Sequence, residues 1–178
     1  MEIRVAKTAG FCFGVNRAVE LTYGLLAEGR KVATLGPLIH NPQAVEDMQR
    51  RGALVADTVE DIPAGYEVVI RSHGVPCSVY DALAARGVRY HDATCPFVQK
   101  IQRIAEQAEK ENAVLLVAGD KTHPEVQGIV GHTRGEVFVF ADLDELRAWK
   151  GPSDPQKPLF AVAQTTFQVT KWQESSEF

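Results

Sequence analysis

Residues 114–126 read Val-Leu-Leu-Val-Ala-Gly-Asp-Lys-Thr-His-Pro-Glu-Val, a strongly apolar run followed by a polar turn and a histidine. The run at 114–118 predicts a buried strand. The proline directly after His123 suits the first turn of a helix. A strand, a turn and a helix in this order are part of the βαβ pattern that is typical of a parallel sheet.

The same order occurs earlier in the chain. Residues 32–38 predict a strand, His40 follows it, and a proline again opens a helix with apolar residues at 44, 45 and 48. Cys95 lies 83 positions after Cys12, and His123 lies 83 positions after His40. We therefore interpret the sequence as an internal duplication, with a first α/β repeat at 1–95 and a second at 96–178.

Further segments complete the two repeats. Apolar residues at helical spacing predict a helix after Cys12 and another after Cys95. Thr165 lies 92 positions after His73 rather than 83, and an insertion in the proline-rich loop at 151–158 explains the difference. The other predicted strands are at 2–6, 68–71, 90–93 and 159–163. The expected fold is α/β, with two small parallel-sheet domains.

The bulk composition excludes several classes of protein. The chain has 178 residues, of which 45% are hydrophobic and 24% charged, so it is long enough for one or two buried cores. A formal net charge of -4, with scattered lysines and arginines, offers no basic field for nucleic acid. No apolar run has the length of a membrane span, and the N-terminus has no basic region followed by a long apolar run. We expect a cytoplasmic protein that binds neither nucleic acid nor membrane.

The three cysteines are an odd number in a chain that needs no disulfide to fold. Cys12 and Cys95 occupy the same position in the two repeats, each at a turn into a helix. A helix N-terminus favours the thiolate, which ligates metals or attacks electrophiles. Cys77 has no counterpart, so we interpret it as a small buried hydrophobic residue.

Three histidines follow predicted strands. His40, His73 and His123 lie where the carboxyl ends of parallel strands bind ligands, and an imidazole there binds phosphate or moves protons. His91 and His132 lack this context and are expected to be structural or exposed.

The residues around Glu125 and Thr165 leave two interpretations open. Glu125 either takes part in chemistry or only favours a helix start through the helix dipole. The hydroxyls of Thr165 and Thr166 follow a strand and could equally cap the next helix.

Six motifs resemble those of one enzyme family in order and spacing. They are Gly-Phe-Cys-Phe-Gly-Val at 10–15, Ile-His-Asn-Pro at 39–42, Ser-His-Gly-Val at 72–75, Asp-Ala-Thr-Cys-Pro at 92–96, His-Pro-Glu-Val at 123–126 and Gln-Thr-Thr at 164–166. The family they resemble is the 4-hydroxy-3-methylbut-2-enyl diphosphate reductases, also called LytB or IspH. The resemblance covers the whole chain.

The resemblance implies a trefoil of three α/β domains around a central 4Fe-4S cluster, with one cysteine ligand from each domain. Cys12 and Cys95 match the first two ligands. Ligation by three cysteines leaves one iron free as a Lewis acid. The implied reaction is reductive dehydroxylation of 4-hydroxy-3-methylbut-2-enyl diphosphate to isopentenyl and dimethylallyl diphosphates, the last step of the methylerythritol phosphate pathway of isoprene biosynthesis. A ferredoxin- or flavodoxin-type donor supplies the electrons.

The same resemblance implies roles for individual side chains. His40, His73 and His123 match diphosphate-binding positions, and Glu125 matches the carboxylate of a proton relay. Thr165 matches the hydroxyl that helps to hold the substrate alcohol, so the expected catalytic set is His123, Glu125 and Thr165. Val15 and Val98 match apolar contacts to the prenyl chain.

One departure from the family pattern concerns the end of the chain. The family's third cysteine and its Ser-x-Asn diphosphate contacts lie in a third domain, and nothing after residue 170 matches them. We expect the third domain to be absent, the chain to be inactive alone, and an exposed apolar face to cause self-association. Two other interpretations are a noncatalytic scaffold or weak metal-binding module, and a zinc hydrolase, which the lack of short paired ligand motifs disfavours.

Overall fold

The structure is a computed structural model that describes residues 3–6 and 9–178. Seven strands and seven helices occur in the described part. The strands are β1 (Val32–Leu35), β2 (Leu54–Ala56), β3 (Glu67–Ile70), β4 (Tyr90–Asp92), β5 (Val114–Ala118), β6 (Val137–Phe140) and β7 (Leu159–Ala163). The helices are α1 (Phe13–Ala27), α2 (Pro42–Arg50), α3 (Cys77–Ala85), α4 (Pro96–Lys110), α5 (Pro124–Val130), α6 (Leu143–Ala148) and α7 (Val169–Ser176).

The strands form two separate parallel sheets. The first has the order β2-β1-β3-β4 and the second the order β6-β5-β7. In the first sheet β1, which precedes His40, lies between β2 and β3. In the second sheet β5, which precedes His123, lies between β6 and β7, so the two repeats have the same strand arrangement. The prediction of two small parallel-sheet α/β units is confirmed. The repeat boundary between 95 and 96 stays a prediction.

Each sheet is covered on both faces. In the first unit Val32 and Val69 pack with α1 and α2, whereas Val68 and Ile70 pack with Leu83 of α3 on the other face. In the second unit one cluster joins β5 to α4 and α5, and another joins β5 to α6. All five residues of β5 are buried, which explains its uninterrupted apolar sequence.

Several predicted segments differ from the structure. The predicted strand at 32–38 ends at Leu35, because Gly36 adopts a φ of 69° and Pro37 has no N–H to donate to a neighbouring strand. The predicted strand at 2–6 is not formed over residues 3–6; Glu2 lies outside the described residues. Ile3 and Val5 are 77% and 79% exposed.

Large apolar side chains are also exposed at other places. Phe13 and Phe97, which follow Cys12 and Cys95, are 67% and 68% exposed. Self-association through such residues stays a prediction. Among the described residues, no helix combines the length and the apolar character that crossing a membrane requires.

Candidate active site

One cavity collects the side chains that the sequence singles out. Its volume is about 330 Å³, and it lies at the carboxyl ends of strands from both sheets. The nine predicted site residues all line it: Cys12, Val15, His40, His73, Cys95, Val98, His123, Glu125 and Thr165. The predicted positions therefore converge, although the roles assigned to them stay predictions.

The two cysteines lie at equivalent helix starts. Cys12 directly precedes α1 and Cys95 directly precedes α4, and neither thiol makes a capping hydrogen bond. Both are free thiols. The backbone N–H of Cys95 donates to the carbonyl of Ser72 at 3.0 Å, which ties this cysteine to the loop that carries His73. The cavity thus holds two thiols that are available as ligands.

The first helix approaches Cys95 closely. A Cβ at Gly14 would lie 2.6 Å from the Sγ of Cys95, so only glycine leaves room for the thiol at this position. Arg17, one turn further along α1, donates to the carbonyls of Thr94 and Asp92 at 2.9 and 3.2 Å. These contacts hold the segment before Cys95 against α1.

Three imidazoles form a cluster on the cavity wall. The ring centroids of His40, His73 and His123 are 4.8 to 5.6 Å apart. The Nδ1 of His123 accepts a hydrogen bond from the backbone N–H of Glu125 at 3.1 Å, so the proton of its neutral ring is on Nε2. The buried Nδ1 of His73 has no hydrogen-bond partner among the described residues. These rings have donor or acceptor capacity left for a ligand.

The charge state of His73 depends on its surroundings. Burial, followed by the nearby His40, Arg71 and His123, lowers the pKa of His73 from 6.5 to about 4. In the ligand-free protein at neutral pH, His73 is therefore an uncharged imidazole. An anion in the cavity would favour the imidazolium and raise this pKa.

This shift has a consequence for stability. The pKa of His73 is lower in the folded protein than in the unfolded chain, so the unfolded chain binds a proton more readily. The contribution of His73 to the free energy of unfolding is therefore fully present above pH 6.5 and is lost as pH falls toward about 4. We expect the free energy of unfolding, measured with urea, to decrease over this range. The decrease should be smaller in His73→Gln. Equal pH dependence of the two proteins would contradict the shift, and NMR titration of the ring protons gives the pKa directly.

Glu125 and Thr165 form a direct pair across 40 positions of sequence. The two carboxylate oxygens of Glu125 accept from the backbone N–H and the hydroxyl of Thr165, at 2.6 and 2.8 Å. Glu125 is 2% exposed. The carboxylate of Glu125 thus does more than face the dipole of α5, because it binds the residue that follows β7.

An apolar wall completes the cavity. Val15 of α1 and Val98 of α4 line it at corresponding positions of the two helices, and Val98 is 2% exposed. A ligand with an apolar chain and an anionic end would find both kinds of surface in this cavity.

Sequence reasoning did not assign several residues that build the site. Asn41 caps α2 by accepting from the N–H of Ala44 at 3.0 Å, which the Asn-Pro pair before a helix would have indicated. Gln164 accepts from the N–H of Asp120 and donates to Thr166, at 3.1 and 2.8 Å. No local pattern indicates the contact of Gln164 with Asp120 or the contacts of Arg17, because these partners are distant in sequence.

Comparison with known proteins identifies the family of the chain. Residues 3–178 match the family described as LytB protein. The chain belongs to the LytB protein family. A relative from Syntrophotalea carbinolica, named 4-hydroxy-3-methylbut-2-enyl diphosphate reductase, is 43% identical over 178 residues, which are 99% of this chain and 62% of that protein.

Solved structures show the same LytB fold. A structure of (E)-4-hydroxy-3-methyl-but-2-enyl diphosphate reductase superposes with a TM-score of 0.81 at 38% identity, covering 97% of this chain and 61% of that one. The reductase from Plasmodium falciparum superposes with a TM-score of 0.87 at 24% identity, covering 96% of this chain and 54% of that one. This LytB family chain therefore spans less than two thirds of the proteins it resembles.

Proposed function

We propose that this chain forms part of a 4-hydroxy-3-methylbut-2-enyl diphosphate reductase, an oxidoreductase of the methylerythritol phosphate pathway. The observation that carries the proposal is the single cavity that brings together two thiols, three imidazoles and the Glu125–Thr165 pair. In the proposed reaction two electrons and two protons cleave the allylic C–O bond. The hydroxyl leaves as water, and isopentenyl and dimethylallyl diphosphates form.

The donor atoms that line the cavity suit an iron-sulfur cluster. Cys12 and Cys95 supply two thiols, and the absence of a Cβ at Gly14 leaves space beside the Sγ of Cys95. Cys77 does not line the cavity. A bound 4Fe-4S cluster would supply electrons and an iron that acts as a Lewis acid. Cys12 and Cys95 would hold it, together with a third ligand from outside this chain.

The histidines are proposed to bind the diphosphate. His40, His73 and His123 converge within one cluster, and charged imidazoles make strong hydrogen bonds to phosphate oxygens. Pyrophosphate should therefore raise the pKa of His73 from about 4, and NMR titration with and without pyrophosphate measures this change.

Glu125 and Thr165 are proposed to move a proton. The hydroxyl of Thr165 donates to Glu125 at 2.8 Å, so a proton held by the carboxylate can pass through this hydroxyl to the leaving oxygen. Val15 and Val98 pack against the prenyl chain and keep water away from it. Electrons come from a ferredoxin- or flavodoxin-type donor. We place the protein in the cytoplasm, where a reducing environment keeps its three thiols free.

Anaerobic reconstitution with iron and sulfide tests the cofactor. We expect the 178-residue chain to hold less than one cluster per molecule and to lose it in air, because two thiolates leave two irons of a 4Fe-4S cluster without protein sulfur ligands. Cys12→Ser and Cys95→Ser should each remove most of the bound iron. Cys77→Ser is the matched control and should leave the iron content unchanged.

Two results would contradict this expectation. One is a stable, stoichiometric 4Fe-4S cluster in a monomer, shown by iron analysis, Mössbauer spectroscopy and sizing. The other is equal loss of iron in Cys77→Ser and Cys95→Ser.

A second candidate function is metal binding without catalysis. It is favoured by the nitrogens of His40, His73 and His123, which lie within 4.8 Å of one another. In that case zinc would bind without thiolate ligands, and the Cys12→Ser and Cys95→Ser changes would leave its affinity unchanged.

A further inference from the structure

A second cluster of ligand-type side chains lies outside the cavity. It consists of Cys77 at the first position of α3, Glu106 on α4 and His132 just after α5. Their potential ligand atoms all lie within 4.8 Å of one another. None of the three lines the cavity described above. The cluster joins the first α/β unit to helices of the second.

The two ring nitrogens of His132 have different partners. Its Nε2 lies 3.1 Å from the carbonyl oxygen of Val75, which can only accept. Its Nδ1 lies 2.9 Å from a carboxylate oxygen of Glu106, which when ionised can also only accept. A neutral imidazole carries one N–H and cannot donate to both. A neutral ring that donates from Nε2 to Val75 directs its Nδ1 lone pair at the Glu106 oxygen, and a cation bound between these two atoms would relieve their repulsion.

The thiol of Cys77 distinguishes this cluster from an ordinary ion pair. Its Sγ lies 3.4 Å from the same Nδ1. Zinc bonds of about 2.0 Å to nitrogen and 2.3 Å to sulfur in tetrahedral geometry place these two atoms about 3.5 Å apart. The Glu106 oxygen would have to move outward by a few tenths of an ångström, which its partly exposed side chain allows.

The surroundings also favour a cation. The charged groups that act on the Cys77 thiol are the carboxylates of Glu106, Asp81 and Glu109 and the guanidinium of Arg134. Three carboxylates therefore act on the thiol against one guanidinium. Glu106 and His132 also line a polar cavity of about 250 Å³, which has room for a water as a fourth ligand.

We propose that Cys77, Glu106 and His132 form a structural binding site for a divalent metal of the zinc type, separate from the cavity at the strand ends. Thiolate, imidazole and carboxylate are ligands that zinc accepts together. The Val75 carbonyl fixes the tautomer of His132 that leaves Nδ1 free for the metal. Binding releases the Cys77 thiol proton to solvent.

The backbone supports a fixed geometry at this site. The N–H of Cys77 donates to the carbonyl of Gly131 at 3.1 Å. A Cβ at Gly131 would lie 2.4 Å from Pro76, so the two segments pack closely. A metal here would fasten the start of α3 to α4 and to the end of α5. It would also hold the loop from His73 to Val75, through the contact between His132 and Val75.

Cobalt provides a direct probe, because a thiolate bound to Co²⁺ gives a charge-transfer absorption that imidazole and carboxylate ligands do not give. The experiment uses the 178-residue chain with Cys12→Ser and Cys95→Ser, in which Cys77 is the single remaining cysteine. We expect one equivalent of Co²⁺ to produce the band and Zn²⁺ to displace it. Metal bound at His40, His73 and His123 gives no such band.

Variants in this background assign the ligands. Cys77→Ser should abolish the band. His132→Gln and Glu106→Gln should each weaken the affinity by at least about 10- to 100-fold, the range that loss of a partner of a metal ligand already produces. His91→Gln is the matched control, because His91 also contacts a glutamate, at 2.6 Å from Glu67, but lies outside the cluster.

Absence of the band, or a band that His132→Gln leaves unchanged, overturns the proposal and leaves a His132–Glu106 contact beside a free thiol. If circular dichroism shows that the variant with both Cys12→Ser and Cys95→Ser does not fold, Co²⁺ is added instead to the unmodified chain and to Cys77→Ser alone. The difference between these two absorption spectra then gives the same measurement. A null difference there also overturns the proposal.

Discussion

Replacing Glu125 with glutamine is expected to lower turnover by about 100-fold or more, in a polypeptide that continues this chain to the full length of its relatives. This is the usual scale for loss of a general acid. Glutamine can still accept from the N–H of Thr165 and donate to its hydroxyl, so it preserves both contacts of the carboxylate. It removes only the transferable proton. Substrate affinity and iron content should change little.

The control for Glu125 is another carboxylate at the same position of a helix. Glu125 is the second residue of α5, and the exposed Asp144 is the second residue of α6. Asp144→Asn removes a carboxylate that faces the helix dipole and an exposed Arg147, an effect of at most about 1 kcal/mol on stability and none on rate. Turnover of Glu125→Gln within a factor of about three of the unmodified enzyme, with its cluster intact, would reduce Glu125 to the same role.

Two glycines of α1 are expected to respond in opposite directions to alanine. A Cβ at Gly14 would lie 2.6 and 2.8 Å from the Sγ and Cβ of Cys95, so Gly14→Ala should destabilise the fold by about 1–3 kcal/mol through overpacking. Gly24 has no atom within 4 Å of an added Cβ. Gly24→Ala should therefore stabilise the chain by about 0.5–1 kcal/mol, the gain of alanine over glycine within a helix.

Urea unfolding of the two variants measures this difference, and iron content after reconstitution measures its effect on the site. Gly14→Ala should also hold less iron, because it displaces the thiol of Cys95. If both variants are equally stable, α1 can move away from Cys95 without cost, and the close approach is not required.

Much of the fold follows from local sequence. The limits of β5 and β7 agree with the predicted strands at 114–118 and 159–163, because strong apolar runs bounded by polar turns leave few alternatives. The prolines after His40 and His123 mark the starts of α2 and α5 as predicted. Sequence reasoning did not identify the short strands β2 and β6 or the helices α3 and α6, and it expected a helix after Thr166 without giving the bounds of α7. β2 and β6 have only three and four residues, so most of their stability comes from neighbours rather than from their own pattern.

Cys77 shows how a local interpretation can miss a partner. The sequence suggested a small hydrophobic residue, whereas the structure places its thiol 3.4 Å from the Nδ1 of His132. His132, expected to be structural or exposed, is nearly buried and contacts both Glu106 and Val75. The 55 positions between Cys77 and His132 carry no periodic signal, so only packing of the two units reveals their contact.

By itself, the sequence determined the parallel α/β repeat, the positions of the reactive side chains at strand ends and helix starts, and the family resemblance. These features are local, because strand periodicity and helix starts depend on neighbouring residues. The site shared by both units was expected from the resemblance, whereas the tertiary structure alone decided that Glu125 binds Thr165 across 40 positions and that Gly14 must lack a side chain. Such contacts arise when two separately patterned units bury surface against each other, and the chain encodes this only through the complementary shapes of distant residues.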